Sequence, residues 1–325
     1  MTTEPSSQPA SPPAWQPPPP GGPLSGIFLG SDGLRAGWRL LLFAALGWII
    51  AFAIQLVALQ IVGFPRQPYG PEAVAASDLI DFASAYAAAL LMGRLERRSV
   101  NEYGLPLRVA FGKTFWLGFL LGLCEVSLLV ALIAVFGGYS FGQFVIRGAG
   151  FWGWGTYWAL AFVIVGLSEE FLFRGYAQYT LATGIGFWPA ALALSLFFGA
   201  AHWRNPGEGI AGVANVVVTG VVFCFALRRT GNLWLAVGWH ASFDFGETFL
   251  FSVPDSGLVF DHHLSDASLH GATWLTGGTV GPEGSVFAFL TMGLSALAIH
   301  FLFPAKKEPK GHLESSAGAD SAHTK

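Results

Sequence analysis

The apolar residues of this chain lie in long blocks, and the lengths of the blocks indicate what they form. A helix that crosses the hydrocarbon core of a membrane needs about 20 mostly apolar residues. Eight such blocks can be counted along the chain. The second and fifth blocks are short, and the fourth and seventh contain acidic residues. The pattern predicts an all-α fold, a polytopic transmembrane helical bundle of about eight spans. The predicted spans are 36–62, 76–93, 114–137, 154–176, 186–203, 209–228, 232–252 and 284–303.

The composition agrees with a membrane environment. Of the 325 residues, 53% are hydrophobic and 11% are charged, whereas soluble domains carry about 25% charged residues. A chain this apolar has too few polar residues to cover a water-facing surface. We therefore expect it to be surrounded by membrane lipid. The net charge of −3 and the lack of a basic stripe argue against nucleic acid as a partner.

The basic residues indicate how the chain is oriented. With the N-terminus placed inside, 13 of the 17 Lys and Arg residues fall in cytoplasmic segments, and three fall in outside loops. Cytoplasmic loops of membrane proteins are enriched in Lys and Arg. The chain is therefore predicted to be a multi-pass protein of the cell membrane with both termini cytoplasmic. Seven spans would separate the lysine-bearing C-terminal tail from the first arginines, which fits this distribution less well.

The same patterns divide the chain into segments. Residues 1–23 contain nine prolines and no Lys or Arg, which argues against a cleavable signal sequence. We expect a disordered Pro-rich cytoplasmic tail at the N-terminus and a second disordered cytoplasmic tail at the C-terminus. The predicted segments are the tail 1–33, N-terminal transmembrane helices 34–153, helices with polar motifs 154–252, an extracytoplasmic loop 253–283, a last transmembrane helix 284–304 and the tail 305–325.

The fourth predicted span contains two adjacent acids, Glu169 and Glu170, and an arginine, Arg174. Ionisable residues at membrane depth are costly and are functional candidates by default. Glu170 and Arg174 are four residues apart on one helix face and can pair, which would also suit a purely structural ion pair. Glu169 lies about 100° further round the helix and lacks that partner. A carboxylate without such a partner suits general-base chemistry.

Histidines occupy two further predicted spans. His202 follows Gly199-Ala200-Ala201 at the end of the fifth span, where an interfacial histidine is also common. In the seventh span, His240 and Asp244 are four residues apart and face the same way. That spacing suits two ligands of one metal ion, or a histidine held by a carboxylate, or a buried polar pair without catalytic function.

Together these residues make up the inventory of a hydrolytic site. A base is needed to deprotonate water, and ligands or hydrogen-bond donors are needed to stabilise the oxyanion. Gly-x-Gly-Asp is absent and no Ser stands in a convincing nucleophile context, which disfavours aspartyl and serine mechanisms. Five other polar residues in the spans could line a cavity, although a structural or interfacial role is favoured for each: Asp81, Glu125, Asn215, Glu247 and His300.

The ordered motifs Glu-Glu-x-x-x-Arg, Phe-x-x-x-His and His-x-x-x-Asp resemble those of the CPBP family. That family comprises CAAX-type prenyl endopeptidases and bacteriocin-processing or immunity proteins, and is also called the Abi family. The resemblance covers about residues 154–252. The matching positions are Glu169, Glu170 and Arg174, then Phe198 and His202, then His240 and Asp244.

The resemblance implies an intramembrane endopeptidase that acts on a peptide or protein near the membrane. It implies that Glu169 activates water and that Arg174 holds Glu170. His202, His240 and Asp244 would bind a metal ion, with Zn²⁺ the candidate, or would stabilise the oxyanion, since the family is described both as metalloproteases and as metal-independent glutamate proteases. Asp244 departs from the Asn common in eukaryotic members. Its added negative charge would favour a metal ion or a protonated His240.

Two other functions compete with peptide hydrolysis. A membrane immunity or binding protein could keep these residues and act by sequestering a partner. A transporter could use Glu169 and His240 as a proton relay. A transporter should have helices broken at the membrane midplane, and the sequence has no clear Gly or Pro interruption there.

Overall fold

The computed structural model describes residues 25–30, 33–61, 63 and 70–304. The predicted tail 305–325 and most of the predicted tail 1–33 lie outside these residues. Within the described part of the chain, helices α1–α9 are ten residues or longer. They are α1 (Ala36–Ile61), α2 (Pro71–Glu96), α3 (Lys113–Val135), α4 (Ala149–Arg174), α5 (Tyr176–Ile185), α6 (Phe187–His202), α7 (Ile210–Thr230), α8 (Trp234–Phe245) and α9 (Val286–Leu302).

Shorter elements connect these helices. Two antiparallel pairs of two-residue strands join Leu29–Gly30 to Gly33–Leu34, and Tyr139–Ser140 to Ser268–Leu269. The remaining elements are the helical turns Ser25–Phe28 and Thr273–Thr276, the 3₁₀ turns Val100–Tyr103, Leu107–Val109 and Pro282–Gly284, and a π-helical turn at Gly246–Leu250.

The helices confirm the all-α fold and fall at each of the eight predicted spans. In the described residues, five stretches are long and apolar enough to cross a membrane: α1, α2, α3, the stretch Ala149–Ile185 and α7. Helices α6 and α9 are apolar but shorter. Helix α8 reaches a comparable length once the π-helical turn is included.

The fourth span differs from its prediction of one helix over 154–176. The helix begins earlier, at Ala149, and Gly175 separates it from the further helix α5. Gly175 has a non-helical ψ of −118°, and a Cβ atom there would collide with the carbonyl oxygen of Phe171. The helix is therefore interrupted directly after Arg174, near the end of the predicted span.

Helix α8 is the central helix of the bundle, with buried residues on every side. It packs most extensively against α3 and α4. Glycines permit this approach: a Cβ at Gly118 would collide with the Leu235 backbone, and one at Gly238 with the Phe115 backbone. Small residues are the usual means by which membrane helices come this close. By contrast, α1 is largely exposed and buries only Phe43, as expected of a lipid-facing helix.

We expect the close contact of α3 with α8 to be sensitive to a single methyl group. A Cβ at Gly122 would collide with the Trp239 carbonyl oxygen and the Ser242 hydroxyl. Overpacking of this kind costs about 1–3 kcal/mol, so Gly122→Ala should lower the thermal unfolding temperature in detergent. Gly293→Ala on α9 is the control, because nothing lies within 4 Å of its added Cβ. Equal unfolding temperatures for the two variants would contradict this account.

The predicted orientation can be tested with reporter fusions at about residues 100, 140 and 310. Eight spans with a cytoplasmic N-terminus require cytoplasmic signals at 100 and 310 and an outside signal at 140, because consecutive loops alternate sides. An outside signal at 310 would overturn the eight-span arrangement.

Candidate active site

A buried carboxylate links α4 to α8. Glu170 Oε1 lies 3.1 Å from Arg174 Nη1 and 2.9 Å from His240 Nδ1. The side chains of Glu170 and Arg174 are 0% and 1% exposed. The guanidinium also lies over the ring of Phe198, 4.3 Å from its centroid. The predicted pairing of Glu170 with Arg174 is therefore present, and it extends to a residue on another helix.

Glu169 points away from this pair, as its place on the helix predicted. Its side chain is 29% exposed, and its Oε2 lies 3.6 Å from Nε2 of His240. The same cavity is lined by the apolar Val165 and by two further acids, Asp78 and Asp244. Glu169 is thus the more accessible acid of the pair.

His240 lies between three carboxylates. Nδ1 faces Glu170, while Nε2 faces Glu169 at 3.6 Å and Asp244 Oδ2 at 3.5 Å. A carboxylate accepts hydrogen bonds, so the proton of a neutral ring is best placed on Nδ1. The lone pair of Nε2 would then face two anionic oxygens. The arrangement is favourable when the His240 ring is protonated, because Nε2 then carries a hydrogen that faces these oxygens.

His202 lines the same cavity but is held differently. Its Nδ1 lies 2.9 Å from the carbonyl oxygen of Phe198, one turn earlier on α6. Its ring packs edge-on against the Phe198 ring at a centroid distance of 4.5 Å. With Nδ1 donating to that carbonyl, Nε2 is the ring atom available to a ligand.

These side chains meet at one cavity of about 440 Å³. Its walls come from α2, α3, α4, α6, α7, α8, α9 and the segment 253–283. Apolar walls with a few convergent polar groups are typical of ligand sites. The polar lining includes Asp78, Glu169, His202, Asn215, His240, Asp244, Asp255 and Glu283, and the apolar lining includes Phe162, Phe198, Phe223, Trp239 and Phe243.

The predicted metal ligands do not form a compact set. Among the described residues, the group of three or more potential ligands with ligand atoms all within 4.8 Å of one another is Glu247, Asp255 and Glu283. His202, His240 and Asp244 do not meet that spacing in the described structure. Zn²⁺ at these residues therefore stays a prediction.

Three acidic residues of the cavity were not among the candidates identified from the sequence: Asp78, Asp255 and Glu283. Asp78 is on α2, where the sequence had drawn attention to Asp81 as a structural or interfacial residue. Glu283 comes from the 3₁₀ turn before α9, outside any predicted span. Glu125 has the structural role expected for it: its Oε2 accepts hydrogen bonds from Trp239 Nε1 at 2.7 Å and from Ser295 Oγ at 3.1 Å.

Comparison with known proteins agrees with this geometry. No curated protein matches the chain significantly. Residues 151–246 match the model of a protein family described as type II CAAX prenyl endopeptidase Rce1-like. The matched range contains all three motifs and ends at the start of the π-helical turn. It confirms the resemblance to the CPBP family of CAAX proteases. In residues 151–246, the chain therefore carries a membrane domain of the type II CAAX prenyl endopeptidase Rce1-like family.

Proposed function

We propose that the protein is an intramembrane endopeptidase that hydrolyses peptide bonds with a water molecule activated by Glu169. The observation that carries the proposal is that the two adjacent acids differ in burial and in hydrogen bonding. Glu170 is fully buried and bonded to Arg174 and His240, whereas Glu169 reaches the cavity with 29% of its side chain exposed. A base has to reach water, and Glu169 does so.

The first step is attack of water on the peptide carbonyl carbon. As the oxygen–carbon bond forms, the water proton passes to the Glu169 carboxylate. The negative charge moves to the former carbonyl oxygen, giving a tetrahedral intermediate. Protonated His240 would stabilise that oxyanion, because its Nε2 faces the cavity and its Nδ1 is held by Glu170.

The second step is cleavage of the carbon–nitrogen bond. Glu169, now protonated, returns its proton to the departing amine, and the carboxylic acid product remains. Asp244 lies 3.5 Å from His240 Nε2 and favours the protonated ring. His202 has its Nε2 available for a second hydrogen bond to the substrate.

The substrate we propose is a short extended stretch of a peptide or protein close to the membrane. A cavity of about 440 Å³ accommodates a few residues but not a folded domain. A prenylated CAAX protein is one such substrate. An immunity or binding protein with the same side chains would hold a peptide here without cleaving it.

The role of Glu169 can be tested with Glu169→Gln. The amide keeps the shape and removes the base, so turnover should fall by about 10²–10⁴. The unfolding temperature should change little, because this side chain is partly exposed and makes no tight ion pair. The assay is cleavage of a peptide library in proteoliposomes, read by mass spectrometry. Full activity in Glu169→Gln would reject this assignment, and a wild type that binds but leaves every peptide intact would favour the binding function.

Glu170→Gln should instead reduce stability and activity together. It leaves Arg174 as an uncompensated charge in a buried place, which costs about 3–5 kcal/mol. Glu102→Gln is the matched control: Arg98 and Glu102 are also four residues apart with a 3.1 Å contact, but both are exposed. The control should change stability by no more than about 1 kcal/mol.

The double variant Glu170→Gln with Arg174→Met should recover much of the lost stability, because it removes both charges. Its activity should stay low, since His240 loses its anionic partner. Thermal unfolding of all four variants, with turnover measured in parallel, separates the two effects. A Glu170→Gln protein as stable as Glu102→Gln would contradict the buried ion pair.

A further inference from the structure

A second group of acids lies after His240 in the chain, between the end of α8 and the start of α9. Glu247 is on the π-helical turn, Asp255 follows in the segment, and Glu283 lies in the 3₁₀ turn before α9. One carboxylate oxygen of each lies within 4.8 Å of those of the other two. We call Glu247, Asp255 and Glu283 the acidic triad.

Glu247 is buried in the triad without any partner. Its relative exposure is 0%, and neither of its carboxylate oxygens has a hydrogen-bond partner among the described residues. A buried carboxylate is strongly disfavoured unless it is paired or bound to a metal ion. A carboxylate aimed at two others, with no donor of its own, indicates that a ligand is missing.

Among the described residues, no Lys or Arg pairs with this group. The segment 253–283 contains no Lys or Arg, and no described ion pair involves a triad residue. The three carboxylates are therefore not balanced by an ion pair in the described structure.

Hydrogen bonds nevertheless fix two of the three carboxylates in place, those of Asp255 and Glu283. Thr248 Oγ1 donates to Asp255 Oδ2 at 3.1 Å. The backbone N–H and the hydroxyl of Ser256 both donate to Glu283 Oε2, at 2.8 Å and 2.5 Å. Each bond uses one oxygen of its carboxylate and leaves the other oxygen for a ligand. The site is thus preorganised by neutral donors.

The ligand chemistry favours a hard divalent cation. All three ligands are carboxylates, which Ca²⁺ and Mg²⁺ prefer, and no His or Cys is present to favour Zn²⁺. Ca²⁺ accepts several carboxylates in a flexible geometry, whereas Mg²⁺ demands a near-octahedral arrangement and usually keeps several waters. A site made of three carboxylates therefore favours Ca²⁺.

We propose that the acidic triad is a Ca²⁺ site that joins the end of α8 to the segment closing the catalytic cavity. Asp255 and Glu283 line that cavity, and Asp244 lies three residues before Glu247 on the same chain segment. A bound ion would therefore stabilise one wall of the cavity. The proposal does not depend on the hydrolytic mechanism, because it concerns residues outside the catalytic motifs.

The test is a Ca²⁺ titration of the full-length protein in detergent at neutral pH after treatment with EGTA. The unfolding temperature of the wild type should rise with Ca²⁺ and then saturate, because a ligand that binds the folded state stabilises it. Mg²⁺ at the same concentrations should give a smaller rise. Isothermal titration should give one Ca²⁺ per chain.

Glu247→Gln is the decisive variant. It should need at least tenfold more Ca²⁺ for the same shift, yet in EGTA it should be at least as stable as the wild type, because it removes a buried charge. Glu72→Gln, at an exposed acid on α2, should behave like the wild type. Glu283→Gln, in which the amide oxygen can still accept from Ser256, provides the same comparison if Glu247→Gln fails to fold.

Two results would overturn the proposal. One is a wild-type unfolding temperature that does not respond to Ca²⁺. It would mean that protons, and not a metal ion, neutralise the carboxylates of the triad. The other is an equal Ca²⁺ response in the wild type and both triad variants, which would place any bound Ca²⁺ elsewhere. Neither result would affect the Glu169→Gln comparison, so the two proposals fail independently.

Discussion

The carboxylate of Glu170 holds the centre of the bundle together. One of its oxygens accepts from both Arg174 Nη1 and His240 Nδ1. Arg174 ends α4 directly before the break at Gly175, and His240 lies midway along α8. Because none of these groups can exchange its partner for water, the position of each fixes the other two. The His240 ring is thereby oriented, and its second nitrogen faces the cavity.

This contact requires two helix axes to come unusually close. A Cβ at Gly166, one turn before Glu170, would lie 2.9 Å from the Val237 carbonyl oxygen and 3.5 Å from the His240 Cβ. The missing side chain lets α8 approach α4 closely enough for a histidine to reach a glutamate. On another side of α8, glycines on α3 likewise let α3 approach α8 closely. Close packing of small residues is therefore what makes the polar contact geometrically possible.

The sequence predicted the features that depend on spacing within one helix. The pairing of Glu170 with Arg174, the divergent direction of Glu169 and the positions of the apolar helices all follow from helical periodicity. Features that depend on contacts between segments were missed. Asp78 joins the cavity because α2 packs against α4. Glu247 was expected to be structural or interfacial, and its proximity to Glu283 arises from the fold and not from spacing within one helix.

Membrane orientation and local electrostatics are coupled in the segment 253–283. Its lack of Lys and Arg is the feature that favours placing it outside the cytoplasm. The same lack deprives the buried acids near it of the side chains that usually neutralise carboxylates. Elsewhere in the bundle, Arg174 compensates Glu170 and Arg39 pairs with Glu96. A segment depleted of basic residues has to balance Glu247, Asp255 and Glu283 by other means, either protons or a cation from solution. The preorganised oxygens and the spacing of the acidic triad favour the cation.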